Sequence, residues 1–105
     1  MQIQVNPDDI TLTEALNERI ENEVQKALKH HTDRVTRVEV TIRDENGPKS
    51  GVDKHCMMEA RLAGEDPITV EAESDDMYAA VHQSAEKLEK AVGRHLDRKY
   101  QHPKR

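Results

Sequence analysis

Six histidines and one cysteine are the first side chains to consider as metal ligands or catalytic groups, because the numerous carboxylates alternate with cations and look like solubilising charge. His30 and His31 are neighbours in a helical pattern, so their side chains diverge by about 100° and do not share one ion easily. His55 and Cys56 are neighbours in an alternating pattern, which directs them to opposite faces of a strand. The sequence contains no C-x-x-C, H-x-x-x-H or H-E-x-x-H spacing. We therefore predict no metal site and no catalytic residue.

Cofactor chemistry has no support in the motifs either. Neither G-x-G-x-x-G nor G-x-x-x-x-G-K-[ST] occurs, so a nucleotide has no obvious loop to bind. Cys56 falls on the apolar side of its strand, where a small buried hydrophobe is a better interpretation than a nucleophile. These features predict a protein that binds a partner, without a cofactor or a small-molecule substrate.

A row of cations near the C-terminus has the clearest chemical meaning. Lys87, Lys90, Arg94 and Arg98 recur at spacings of three, four and four, which places them on one face of a helix. Cations about 5–6 Å apart suit the phosphates of a nucleic acid. The chain has no Trp or Phe and only two Tyr, so it lacks the stacking platforms of single-strand binders. Double-stranded or folded RNA, recognised by shape and phosphate, is the better match.

The distribution of charge also indicates the C-terminal segment as a binding surface, but by itself it does not show that the segment binds phosphates. Residues 1–86 carry 9 Lys/Arg and 19 Asp/Glu, a net of -10, whereas residues 87–105 carry 7 and 2, a net of +5. Segregated charge can steer a protein to a polyanion. The alternative is that basic residues simply favour the negative end of a helix dipole, and charge alone favours that alternative. The regular spacing is what favours phosphate binding.

Length and composition indicate one cytoplasmic domain. A chain of 105 residues is long enough for a single core, and that core must be aliphatic. The N-terminus has no pattern of a signal peptide, and no apolar stretch approaches the roughly 20 residues that span a bilayer, so we expect no membrane partner. One cysteine cannot form an internal disulfide, which fits a reducing compartment.

Apolar periodicity predicts four strands and two helices in the order β-α-β-β-β-α, an α+β fold. The first strand should include residues 3–5 and end at 6–9, and the first helix should cover about 13–31, capped by Thr11 or Thr13. The last helix should follow an acidic cap at 74–76. We expect strands 2 to 4 to be antiparallel, strands 1 and 2 to be parallel, and both helices to pack on one face of the sheet. The loop over 44–53 should be mobile.

The last helix also resembles a known family. Asp76-Met77-Tyr78-Ala79-Ala80-Val81, followed by Lys87-Leu88-Glu89-Lys90, resembles the signature of the ribosome hibernation promoting factor family. This family is also called ribosome-associated inhibitor A or sigma-54 modulation protein. The start of the first helix over 10–16 and the approach to the second strand over 33–40 are similar too, so the resemblance covers about residues 2–99. The chain resembles the short-form members of this family. Long-form members have a further C-terminal domain by which they pair ribosomes, and we expect no such domain here.

The resemblance implies a fold similar to double-stranded-RNA-binding domains. It also implies binding to the small ribosomal subunit and its rRNA, in the channel for mRNA and tRNA, which blocks translation and preserves idle ribosomes under stress or in stationary phase. The domain would occupy residues 1–100, with a short basic tail over 101–105. The positions implied to contact rRNA are Lys87, Lys90, Arg94, Arg98, Lys26 and Lys99.

Two departures from the family keep an alternative open. Family members often carry basic residues where this chain has Asn17 and Glu23, and residues 1–86 are strongly acidic. The alternative is a protein-interaction module that has kept the fold but does not bind ribosomes. An enzyme is a distant third hypothesis, because it would need a pocket that brings several histidines together. Self-association is left open by the sequence.

Overall fold

The fold of the protein was obtained as a computed structural model, which describes residues 1–45 and 52–100, with side chains to Asp97. Four strands and two helices follow one another in the predicted order and form one four-stranded sheet, β1-β2-β3-β4. The elements are β1 (Gln2–Asp8), α1 (Glu14–Ala27), β2 (Val35–Asp44), β3 (Lys54–Leu62), β4 (Ile68–Ser74) and α2 (Met77–Tyr100). The predicted α+β fold is confirmed.

The pairing of the strands follows from the connections between them. β1 and β2 are joined through α1 and are parallel, with Ile3 opposite Val38 and Val5 opposite Val40. β2, β3 and β4 are joined by short connections and pair antiparallel. Within this register, the alternating apolar residues of all four strands point to the same face. Both helices cover that face, as predicted.

The core is an aliphatic layer between the sheet and the two helices. Each element supplies its apolar face: Ile20 and Val24 come from α1, Val40 and Met58 from the central strands, and Leu88 from α2, all with no exposed surface. Truncating one such Leu or Ile to Ala typically costs about 2–5 kcal/mol. The opposite face of the sheet carries polar and charged side chains, with Met57 38% exposed among them. We call this uncovered face of the sheet the wet face.

Two boundaries differ from the sequence-based prediction. β1 continues through Pro7 to Asp8, although a break at Asn6 was expected. Pro7 is tolerated because β1 pairs only with β2, and an edge strand does not need every backbone N–H. α1 ends at Ala27 rather than at 31, so His30 and His31 lie after the helix. Leu28 is the last residue of the apolar stripe and is fully buried, and the polar run that follows has no core to face.

The helix starts are fixed by side chains that cap them. Of the two candidate caps for α1, the structure uses Thr13, whose hydroxyl accepts a hydrogen bond from the Leu16 amide at 3.1 Å. Asp76 precedes α2 and accepts from the Tyr78 amide at 3.3 Å, which confirms the acidic cap. At the base of the 44–53 loop, the Glu45 amide donates to the Asp53 carbonyl at 2.8 Å. Most of that loop, 46–51, lies outside the described residues, as does the 101–105 tail.

Candidate nucleic-acid interface

α2 is the longest helix and is held firmly on the sheet. It packs on β3 and β4 and, along one side, on α1. Ser84 has no exposed surface, and its hydroxyl donates a 2.7 Å hydrogen bond to the carbonyl of Cys56 on β3. Burial raises the pKa of the Cys56 thiol to about 11, although a hydrogen bond with Ser84 lowers it in part. The thiol is therefore neutral at physiological pH and packs as an apolar group, as predicted.

The predicted row of cations lies along one side of α2, and we call it the β4 flank. Lys87, Lys90 and Arg94 are all exposed. Lys87 fixes the direction of this flank, because its ammonium donates a 2.8 Å hydrogen bond to the Glu71 carbonyl of β4. At 100° per residue, the row from Lys87 to Arg98 stays within an arc of about 80°. Arg98 and Lys99 belong to the last turn of α2, and their side chains lie outside the described part of the chain.

The side of α2 that faces α1 has the opposite character. There α1 and α2 enclose a shallow groove with a volume of ≈ 100 Å³. Its polar lining consists of three carboxylates, one histidine and one lysine: Glu23, Glu86, Glu89, His82 and Lys26. We call it the acidic groove. Lys26, which the resemblance assigns to rRNA contact, is exposed on this side and not beside the β4 flank.

Close polar contacts hold the acidic groove together. Nδ1 of His82 lies 3.2 Å from both oxygens of Glu23 on α1, and Nε2 lies 3.4 Å from Glu86 one turn further along α2. Arg19 contacts Glu23 at 2.9 Å, and its guanidinium carbon lies 5.7 Å from the ring centre of Tyr78. Tyr78 and His82 therefore connect α2 to the side of α1 that carries Arg19 and Glu23.

Glu23 is the best-defined charge in the groove. Its side chain is only 14% exposed. Burial alone would raise the pKa of this carboxyl, but the hydrogen bonds and charges of Arg19 and His82 outweigh burial and lower the pKa below its ordinary value. Glu23 is therefore ionised at neutral pH, and the groove keeps a fixed negative charge beside Lys26.

Two other partly buried histidines are also engaged by carboxylates. His95 on α2 lies 3.0 Å from Glu65 in the turn between β3 and β4. On the wet face of the sheet, His55 lies 3.3 Å from Glu45 and 3.1 Å from Glu73. Within residues 1–45 and 52–100, no group of three or more His, Cys, Asp or Glu is arranged to hold a metal ion. Over the same ranges, neither helix is both long enough and apolar enough to cross a membrane.

The sequence identified one of these two surfaces and missed the other. The spacing of Lys87, Lys90 and Arg94 was sufficient to place them together. The groove depends on the contact between Glu23 and His82, which are 59 residues apart. The only local signal for it was the four-residue spacing of His82 and Glu86, which is too common to indicate a site by itself.

Comparisons with known proteins agree with this architecture. The family model described as sigma 54 modulation protein / S30EA ribosomal protein matches residues 3–100. A ribosome hibernation promoting factor from Azotobacter vinelandii is 26% identical over 98 residues, which cover 93% of this chain and 85% of that protein.

Two solved structures share the fold. A ribosomal subunit interface protein from Coxiella burnetii superposes with a TM-score of 0.78 at 24% identity, covering 92% of this chain and 99% of that one. The N-terminal domain of Protein Y from Thermus thermophilus superposes with a TM-score of 0.74 at 23% identity, covering 90% and 99%. Because the family model matches nearly the whole chain, the protein belongs to the sigma 54 modulation protein / S30EA ribosomal protein family.

Proposed function

We propose that this protein is a ribosome-associated translation inhibitor, a hibernation factor that acts in the cytoplasm under stress or in stationary phase. It binds the rRNA of the small subunit in the channel for mRNA and tRNA, and it inhibits by occupying that channel rather than by catalysis. The observation that carries the proposal is the exposed row of Lys87, Lys90 and Arg94 along one side of a helix, in a chain of this family.

The geometry of the row suits phosphate contact. Successive cations are separated by three or four residues, which is a rise of about 4.5–6 Å along the helix axis. The helix that carries them is anchored by the buried hydrogen bond from Ser84 to Cys56, so the cations project from a rigid support. A row of this kind contacts the backbone of folded RNA without reading its bases.

The other cations of the same region extend this contact surface. Arg98 follows at the next helical step, and Lys99 and the basic tail over 101–105 continue the positive charge. The family resemblance also implies a contact at Lys26 on α1, but that residue lies in the acidic groove and not beside the β4 flank. In this proposal residues 1–100 form the ribosome-binding domain, and no cofactor or small-molecule substrate takes part.

The test is co-sedimentation of the protein with purified 30S subunits at low and moderate salt. Reversing Lys87, Lys90, Arg94 and Arg98 to Glu should abolish co-sedimentation and inhibition of translation in vitro. A control that reverses Arg43 and Arg61, both exposed on the wet face of the sheet, should still sediment with the subunit. Unchanged sedimentation of the fourfold variant, shown by circular dichroism to be folded, would overturn the proposal.

One observation favours a second candidate, a protein-interaction module. Residues 1–86 carry a net charge of -10, and three carboxylates line the groove between the helices. Such a surface repels RNA and attracts basic protein surfaces. A pull-down from stationary-phase lysate decides between the two: rRNA should be recovered with a ribosome-binding factor, whereas a protein partner without rRNA would favour the module.

A further inference from the structure

The two sides of α2 present opposite charge to a polyanion. The β4 flank carries Lys87, Lys90 and Arg94. The other side carries Glu86 and Glu89, which line the acidic groove. An RNA strand that approaches α2 from above therefore meets attraction on one side and repulsion on the other. A phosphate in contact with one side feels the charges of that side most strongly, because the Coulomb energy falls with distance.

Lys26 does not convert the acidic groove into a phosphate site. The same groove is lined by Glu23, Glu86 and Glu89, and Arg19 contacts Glu23 at 2.9 Å, so two cations stand against three carboxylates. Glu23 does not lose its charge at neutral pH, because Arg19 and His82 stabilise the carboxylate. A phosphate placed at Lys26 would have to come close to these carboxylates.

Contacts within and between the two helices fix the carboxylates of the acidic groove in place. Glu23 is tied to Arg19 on its own helix and to His82 on α2, and His82 in turn contacts Glu86. Moving these carboxylates away from an incoming phosphate would break the contact between His82 and Glu23 that joins α1 to α2. The groove therefore keeps its negative charge when RNA approaches.

From these contacts we infer that the domain docks on rRNA through the β4 flank of α2 alone, with α1 and the acidic groove held away from the phosphates. The inference rests on the proposed function and specifies its interface. In the complex, the outer face of α1 stays accessible to solvent, and Lys26 contributes little to affinity.

Single charge reversals test the asymmetry directly. Lys90→Glu should weaken binding to 30S subunits by about tenfold or more at 0.1 M salt, because it removes a phosphate contact and adds a repulsion. Lys26→Glu makes the same change of charge and should weaken binding by less than about twofold. If the two variants lose affinity equally, the inference is wrong while the proposed function stands.

Protection of engineered thiols gives a second readout that does not depend on affinity. Cys56 has no exposed surface, so a new surface cysteine can be alkylated without removing it. Gln83→Cys lies on the β4 flank side of α2, and Asn22→Cys lies on the outer face of α1; both parent residues are exposed. Saturating 30S subunits should protect the thiol at 83 and leave the thiol at 22 reactive.

The thiol protection and the co-sedimentation together distinguish a failure of one-sided docking from a failure of ribosome binding. Protection at both positions, or at 22 alone, by subunits that still bind the protein would refute one-sided docking only. Protection at neither position together with no co-sedimentation would refute the proposed function, and the inference with it.

Discussion

The steepness with which salt weakens ribosome binding should follow from the number of cations on the β4 flank. The perturbation is Lys90→Gln with Arg94→Gln, which removes two positive charges without adding negative ones. Both side chains are exposed, so the change leaves the core intact and should leave the free energy of unfolding within about 0.5 kcal/mol of the parent.

The magnitude follows from counterion release. If Lys87, Lys90, Arg94 and Arg98 each neutralise one phosphate, the logarithm of affinity should fall with the logarithm of salt at a slope of about -2.8 to -3.6. Removing two of the four contacts should reduce the slope to about -1.4 to -1.8. Between about 50 and 200 mM salt, the parent should therefore lose affinity by about 50- to 150-fold and the variant by about 7- to 12-fold.

The assay is binding of fluorescently labelled protein to 30S subunits at four or five salt concentrations and fixed Mg²⁺. The control is Arg43→Gln with Arg61→Gln, which removes the same charge from the wet face of the sheet. Its slope should equal that of the parent. If the Lys90 and Arg94 variant keeps the slope of the parent, the β4 flank is not the surface that contacts phosphates. The same conclusion follows if the slope of the control falls as much as that of the variant.

Three further predictions concern stability and reactivity. Ser84→Ala leaves the Cys56 carbonyl without its 2.7 Å hydrogen bond and should lower the free energy of unfolding by about 1–3 kcal/mol, measured in urea, whereas Gln83→Ala next to it should change it little. Thr13→Ala removes the cap of α1 and should cost about 1 kcal/mol in the same assay. The Cys56 thiol should react with iodoacetamide at pH 8 only after unfolding, because burial raises its pKa to about 11; rapid reaction of the native protein would contradict this.

The pH dependence of the helix pair has a definite sign. The pKa of Glu23 is lowered in the folded state, so its ionised form stabilises the protein above the ordinary value of 4.5, and this contribution is lost as pH falls through the folded pKa. The difference in unfolding free energy between the parent and Glu23→Gln should therefore be largest near pH 5–7 and shrink below 4.5. Equal differences at pH 6 and pH 3, from urea titrations, would contradict this assignment.

Most of the fold could be predicted because it depends on local patterns. Alternation at Val38, Val40 and Ile42 gives a strand whichever partners it finds, and the short connections between β2, β3 and β4 leave antiparallel pairing as the simple solution. The end of β1 was missed because the tolerance of Pro7 depends on the strand being at an edge, which is a property of the whole sheet. The end of α1 was missed because helical spacing does not show where the core stops.

The candidate site likewise has a part that follows from local spacing and a part that depends on the packing of the fold. Lys87, Lys90 and Arg94 lie on one helix, so their spacing was enough to align them. The spacing did not show which side of the helix they occupy. The contact from Lys87 to Glu71 on β4 shows that this is the side facing β4. The surroundings of Lys26 depend on how two helices pack, so the sequence could not show that its neighbours are acidic.

The acidic groove has a physical consequence for the β4 flank. Two parallel rows of cations on adjacent helices would repel one another and weaken the packing of α1 on α2. In this chain, Glu23 and Glu86 place negative charge between the helices, and the contacts of Arg19 and His82 turn that charge into attraction. The helix pair is thereby stabilised while the uncompensated positive charge lies on the far side of α2. A domain with a net charge of -5 can in this way present a locally cationic surface to RNA, because charge is separated across one helix rather than averaged over the molecule.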